Sequence, residues 1–387
     1  MVSAHVAPRR YLHAGPALDL SEASQALTGA FVAALLFEGE ARDPAEALAI
    51  IRRGELEIVP CHDDHAVGAL AGVVSPNTPV FVIERADGRR TFSPIHEGPG
   101  TSIRAGQFDP ATLANLHWLS KVMGPMIADA LRQASPIDPL EVLASGLGRG
   151  DEGHNRNVSC SADFFRRIAP AICEIAGASP DAATVLHVLA DNVQFFLPMA
   201  MAAAKAVADD IHALAVPGLV TAVAANGTHF GIRVSGTSQG WFTTESPIGD
   251  LVFYDGFRAD DVSPLVGDSP VVETIGLGAF ALSAAPNLAR SLERSVAEAK
   301  ALVEQMRSIC LSESPRFAIP SEEFRPTGFG IQVKSVVATG VTPAFSIGYL
   351  HRQLGRGRVG AGLLHAPIEP FEQAATALAE TPPVEAR

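Results

Sequence analysis

Apolar residues recur every three or four positions over residues 20–53 and again over 109–214, then give way to strand-length runs of Val, Ile and Ala from residue 219 onward. A 3.6-residue period lines one helix face, whereas short apolar runs bounded by turn residues read as buried strands. Residues 20–53 therefore predict two helices, with Ser21 as candidate N-cap of the first and Asp43-Pro44 opening the second. A short polar side chain there takes up an orphan amide, and proline is at home in a first helical turn. A strand over 56–59 follows, then a loop over 61–79 rich in Gly, Ser, Pro, His and Asp. Strands over 80–84 and 91–95, joined through Arg85-Ala86-Asp87-Gly88, make a hairpin candidate.

In the second periodic region Leu113, Leu116, Leu119, Met123, Met126 and Ala130 share a face. Pro125 and Pro170 are expected to kink or end helices, Ser179-Pro180 to open one, and the last helix carries the alanine-rich stretch 202–208. Beyond it, LVTAVAA and THFGIRV flank Asn226-Gly227, which predicts a hairpin with a type I′ turn. Residues 287–310 predict one long amphipathic helix, and strands are expected near 330–337 and 344–349. The tail from residue 380, with Pro382-Pro383, should fray. The expected fold class is α/β, multi-domain, with mixed sheets and a largely helical middle domain. The expected limits are 1–107 for an N-terminal α/β domain, 108–216 for the helical domain and 217–387 for a C-terminal α/β domain.

Composition narrows the partners. Of 387 residues 47% are hydrophobic, enough for a large core, and 29 Lys plus Arg against 42 Asp plus Glu leave a formal charge of −13. No basic stripe is available to neutralise a row of phosphates, so nucleic acid is excluded as a partner. Cys61, Cys160, Cys173 and Cys310 have no CxxC spacing, which argues against a disulfide framework or zinc ribbon and for a reducing, cytoplasmic compartment. The N-terminal stretch lacks a signal-peptide core, and later apolar runs are interrupted, so no membrane span is expected although the mean hydropathy is +0.20. An apolar, weakly charged chain of this kind suits an oligomer.

The densest polar cluster, Gly150-Asp151-Glu152-Gly153-His154-Asn155-Arg156-Asn157, lies between apolar helices. Arg156 can bind an anion, His154 or Asn157 can polarise a carbonyl, and Asp151 or Glu152 can set their protonation. The plainer alternative is a capped, solvated helix connection. In Cys61-His62-Asp63-Asp64-His65, neighbours on an extended strand point to opposite faces, so a metal site is less favoured than a substrate loop that runs on to Ser75-Pro76. Gly98-Pro99-Gly100-Thr101-Ser102 with Arg104, and Gly267-Asp268-Ser269 with Glu273-Thr274, are weaker phosphate-cradle candidates. Lys205 and Lys334 are either structural lysines or buried cations for an anionic ligand. No Walker loop, dinucleotide fingerprint, GxSxG or HExxH is present, and no cofactor or resident metal is called for.

Several ordered motifs carry a resemblance: LHAGP at 12–16, LLFEG at 35–39, PCHDDHAVGALAGVVSP at 60–76, GDEGHNRN at 150–157, NGTHFGIRVSG at 226–236, WFT at 241–243, GDSPVVET at 267–274 and GAG at 360–362. Nearly end to end, the chain resembles the YlbE-like family, subunits encoded beside an FdrA-like, acyl-CoA-synthetase-like protein and associated with oxamate carbamoyltransferase activity in allantoin breakdown. The resemblance implies a small anionic substrate (carbamoyl phosphate, oxamate or oxalurate) and an FdrA-like partner in a homo- or hetero-oligomer. It puts His154 and Arg156 on the carbamoyl donor, with Glu152 and Asp151 beside them. Asn157, Asn226 and Thr274 then serve as polar donors, Glu152 or Asp268 orients a basic partner, and His62, His65, Ser75, Ser269 and Lys205 are substrate-binding groups. Two alternatives remain: a non-catalytic scaffold for the synthetase-like partner, and a metal-dependent amidohydrolase built on His62 and His65.

Overall fold

The computed structural model describes residues 9–96, 100–177, 179–214 and 216–380, with the backbone of the two-residue strand Val2–Ser3. Gly98-Pro99 of the first cradle candidate and the Pro382-Pro383 tail lie outside the described residues. The fold is α/β, with small mixed sheets around a helical middle, as the hydrophobic pattern predicts.

The helices Gln25–Glu38 and Pro44–Arg53 form where expected, but Ser24 rather than Ser21 caps the first, accepting the Leu27 amide. Ser21 sits one turn earlier, bonded to Asp19. Arg10–His13 pairs in parallel with Glu57–Pro60, and Pro79–Glu84 pairs antiparallel with Arg90–Pro94. In the helical middle, Pro125 stands in the first turn of Gly124–Gln133, after a π-turn over Leu119–Met123 that absorbs its missing donor. Pro170 lies inside Val158–Ala176 without ending it, because Ile168, Ala171 and Ile172 are held in the core on both sides of it. Leu197–Ala213 is buried on every side over most of its length, and its run of alanines lets neighbouring backbones approach closely.

Three local expectations are corrected. Val220–Asn226 and His229–Val234 do form a hairpin, but Ala225 pairs with Phe230, so the turn is longer than type I′. Asn226 keeps a negative φ and its Oδ1 accepts the amides of Thr228 and His229, an Asx turn that wins over the I′ geometry. The helix expected over 287–310 is two, Pro286–Ser291 and Val296–Ser308, because Ser295 and Glu298 form a capping box that starts the second afresh. Lys334 lies on the helix Val333–Thr339, which follows the strand Arg325–Ile331, rather than within a strand.

Residues 265–285 are buried without interruption although they form only a two-residue strand and two runs of 3-10 turns, Ser269–Ile275 and Gly278–Ala284. Irregular backbone is normally kept at the surface because its polar groups need water. Here tertiary partners replace water: Asp268 N–H donates to Gly68 O at 3.0 Å and Gly278 N–H to Glu152 O at 2.7 Å. This segment runs through the larger hydrophobic core, which joins the helical middle to the C-terminal strands, and touches at Val266 a second core built on Tyr11, Leu27, Phe31 and Leu35. It thereby carries Asp268, Ser269, Glu273 and Thr274 into the centre of the molecule.

Candidate functional site

The polar loop over 150–157 is an interior structure, not a solvated connection. Gly150 and Gly153 take φ of 95° and 85°, turning the chain so that the Glu152 carboxylate accepts the amides of His154 (2.7 Å), Asn155 (2.7 Å) and Arg156 (3.0 Å). One side chain thus satisfies three consecutive donors. Asp151 accepts the Cys160 amide at 2.9 Å and so caps Val158–Ala176, where a negative charge meets the positive end of the helix. Asn157 donates to His154 O at 2.8 Å and reaches Gln194 Oε1 at 3.3 Å, closing the turn.

His154 Nδ1 is 2.8 Å from Glu273 Oε1, with both residues buried. The same oxygen accepts Ser346 N at 3.1 Å and Ala279 N at 3.3 Å, while Oε2 is buried without a partner among the described residues. Gly278, at φ 59°, makes room for this carboxylate, since a Cβ there would overlap Glu273 Oε1. Burial works to lower the His154 pKa, but the charge and hydrogen bond of Glu273, with the charge of Glu152, outweigh it and raise it. Burial likewise raises Glu152 and Glu273, against the pull of His154. The result is a buried carboxylate–imidazole couple whose second ring nitrogen, Nε2, is the one left for a ligand.

His154 lines a pocket of about 20 Å³ together with Asn155, Gln194, Ser269, Arg104 and Arg358, closed on its apolar side by Ala69, Leu70, Leu197 and Gly348. That space holds about one water. The Arg358 guanidinium stacks 5.8 Å from the Tyr254 ring centroid and lies against Gly348, where a Cβ would come within 2.6 Å of it. Gln194 donates to Asn155 O and Asn155 to Ser346 Oγ at 2.9 Å, so the amide side chains are fixed by neighbours. Two guanidiniums, an imidazole held by a carboxylate and oriented amides can together bind a small anion and exchange a proton with it.

The structure sorts the other sequence candidates. Ser269 joins the pocket, and Asp268 lies behind it, where its two oxygens accept Gly15 N and Gly68 N at 2.8 Å each. Burial raises the Asp268 carboxyl to about 7, with those amides, the Cys61 thiol and Lys205 pulling the other way. Arg156 does not line the pocket: its Nε donates to Gly150 O at 3.0 Å and stands 3.6 Å from Asp151. Thr274 bonds Val271 O within its own turn, and Asn226 holds Pro16 O. Ser75 donates to Glu38 in a separate turn.

The 61–65 loop gathers elsewhere. His62 is buried edge-on against Trp241, with both ring nitrogens unpartnered among the described residues, and burial holds its pKa well down. His65 pairs with Asp209, which also holds the buried Lys205; Lys205 donates in addition to His62 O. Lys205 is therefore an interior ion-pair lysine rather than a snorkelling one. Among the described residues no three His, Cys, Asp or Glu side chains gather as metal ligands. Sequence reasoning missed Glu273 as the partner of His154, and missed Gln194 and Arg358. The Gly267-to-Thr274 motif was the signal for the first; nothing local marks the other two.

The fold and pocket together define an α/β protein with a buried Glu–His couple facing an arginine-lined cleft. The family model described as oxamate carbamoyltransferase subunit AllG matches residues 56–269. The chain is 39% identical over 373 residues to the oxamate carbamoyltransferase subunit AllG of Escherichia coli (strain K12), covering 96% of this chain and 89% of that one. It is 33% identical over 366 residues to YahG of the same organism, covering 94% and 77%. A crystal structure of a conserved protein from Enterococcus faecalis V583 superposes with a TM-score of 0.93 at 34% identity, covering 98% of this chain and 91% of that one. The chain belongs to the AllG family of oxamate carbamoyltransferase subunits, as its motifs indicate. Among the described residues no helix is long and apolar enough to cross a membrane.

Proposed function

We propose that this chain carries the carbamoyl-transfer site of an oxamate carbamoyltransferase complex, interconverting oxalurate plus phosphate with carbamoyl phosphate plus oxamate. The observation that carries the reading is the His154–Glu273 couple opening onto a pocket lined by Arg104 and Arg358. In the direction that forms carbamoyl phosphate, a phosphate oxygen attacks the carbamoyl carbon of oxalurate and the carbon–nitrogen bond breaks. The departing oxamate nitrogen takes a proton from His154 Nε2; in reverse, His154 accepts that proton. Glu273 and Glu152 raise the His154 pKa, which favours the protonated ring that the first direction uses. Arg104 and Arg358 balance the phosphate and carboxylate charges, while Asn155, Gln194 and Ser269 orient the carbonyl groups.

The name of the Escherichia coli relative makes that protein a subunit. With the YlbE-like motifs, this supports a cytoplasmic assembly with an FdrA-like partner in purine and allantoin nitrogen catabolism. The small volume of the pocket favours one competing reading, a scaffold subunit that binds no substrate itself. The deciding experiment is phosphorolysis of oxalurate by the complex carrying His154→Gln. Loss of carbamoyl phosphate formation by about 100-fold or more, with assembly intact, supports catalysis here; unchanged turnover leaves the scaffold.

A further inference from the structure

The apolar side of the pocket has an unusual backbone. Leu70 lies at φ 51°, a left-handed conformation that a side chain with a Cβ adopts only when its surroundings impose it. Those surroundings are explicit. Gly68 is clamped from both directions by Asp268, whose Oδ2 accepts its amide at 2.8 Å and whose own amide donates to its carbonyl at 3.0 Å. Ala71 N–H donates to Arg104 O at 2.9 Å, tying the far side of Leu70 to a pocket arginine. Gly267 presses on Leu70 from beneath, where a Cβ would stand 3.0 Å from the Leu70 nitrogen. Gly72 allows the turn to close, since a Cβ there would come within 2.8 Å of His96 Nδ1.

Leu70 lines the pocket that holds about one water and also belongs to the core built on Tyr11, Leu27, Phe31 and Leu35. We propose that Leu70 is the residue that sets the size of ligand admitted to His154. Backbone strain held at a pocket wall is a common mark of functional positioning. The remaining walls are His154, the pocket arginines, side chains fixed by their own bonds, and the apolar Ala69, Leu197 and Gly348; of the two leucines, Leu70 is the one held on the left-handed backbone.

Two measurements on the full complex test this, with Leu70→Ala and Leu70→Gly; the glycine variant also accepts the left-handed backbone without strain. The first is the rate at which diethyl pyrocarbonate modifies His154, followed by peptide mass spectrometry, with the exposed His65 as internal control. This rate does not depend on the carbamoyl-transfer reading. It should rise by about tenfold in both variants relative to His65, and equal rates in all three proteins overturn the proposal. The second rests on that reading: the kcat/KM ratio for the amide acid one methylene longer than oxamate, against oxamate itself. A pocket wall cut back by a leucine side chain should raise this ratio by about tenfold or more. An unchanged ratio in an enzyme that still transfers carbamoyl groups overturns size selection by Leu70. If the wild-type complex transfers none, the proposed function fails and the modification rate alone decides.

Discussion

His154 Nδ1 and Glu273 Oε1, 119 positions apart in the chain, meet at 2.8 Å in the interior, and among the described residues the other carboxylate oxygen, Oε2, has no partner. The imidazole is therefore held in one orientation and biased toward its protonated form. Glu273→Gln removes the charge that raises the ring. The pH above which His154 loses its proton should move down, carrying with it the alkaline limb of the rate profile for oxalurate phosphorolysis. The rate itself should fall by about 10²–10⁴. NMR titration of the His154 ring, beside the pH–rate profile, checks both; an unmoved ring titration would contradict the role of Glu273.

Asp268 makes stability depend on pH. Its carboxyl rises to about 7 in the folded chain, against about 4 when unfolded. The folded state then keeps a proton that the unfolded chain releases, so stability is greatest below the unfolded value and declines as pH rises through that window. The decline from this group alone is about 4 kcal/mol. Asp268→Asn should flatten the decline while starting about 1–3 kcal/mol lower at acid pH, because its NH2 must face either the Gly15 or the Gly68 amide. Urea unfolding across the window reads both effects, and parallel curves for the two proteins would refute the assignment.

Gly278→Ala should disrupt the couple without altering either member. The new methyl would occupy the position of Glu273 Oε1 at a backbone φ of 59°. Destabilisation of at least about 2 kcal/mol by chemical denaturation, with a displaced His154 ring resonance, is expected. A variant of native stability would mean that the Glu273 carboxylate does not sit against this glycine.

The two arginines of the loop and the pocket should part company. Arg156 is spent on Gly150 O and Asp151, so Arg156→Ala should cost about 1 kcal/mol in stability and leave turnover within a few-fold. Arg358 lies in the pocket, and Arg358→Ala should lower kcat/KM by about 10²-fold or more. Steady-state kinetics of both variants beside their melting curves decides the matter; the reverse ordering would return catalysis to Arg156.

Local pattern alone accounts for much of this protein. The Asp43-Pro44 and Ser179-Pro180 helix starts, the hairpins, the helical middle and the polar loop at 150–157 were all legible, because caps, turns and periodicity act through neighbours a few residues apart. Where local signals competed, as at Asn226-Gly227 or Ser295, the stronger side-chain hydrogen bond decided, and the pattern of apolar residues could not rank the rivals.

The tertiary structure alone decided which polar residues face one another. His154 was visible in sequence as a chemical group, but its partner Glu273 and the arginines at 104 and 358 come from segments with no local relation to it. Likewise Asn226 and Lys205 look like ligand-binding groups until folding brings them the carbonyls of Pro16 and His62. A side chain's chemistry is written in its own residue. Whether it is spent on the fold or left to face a pocket depends on which distant donors and acceptors the closing of the core forces against it.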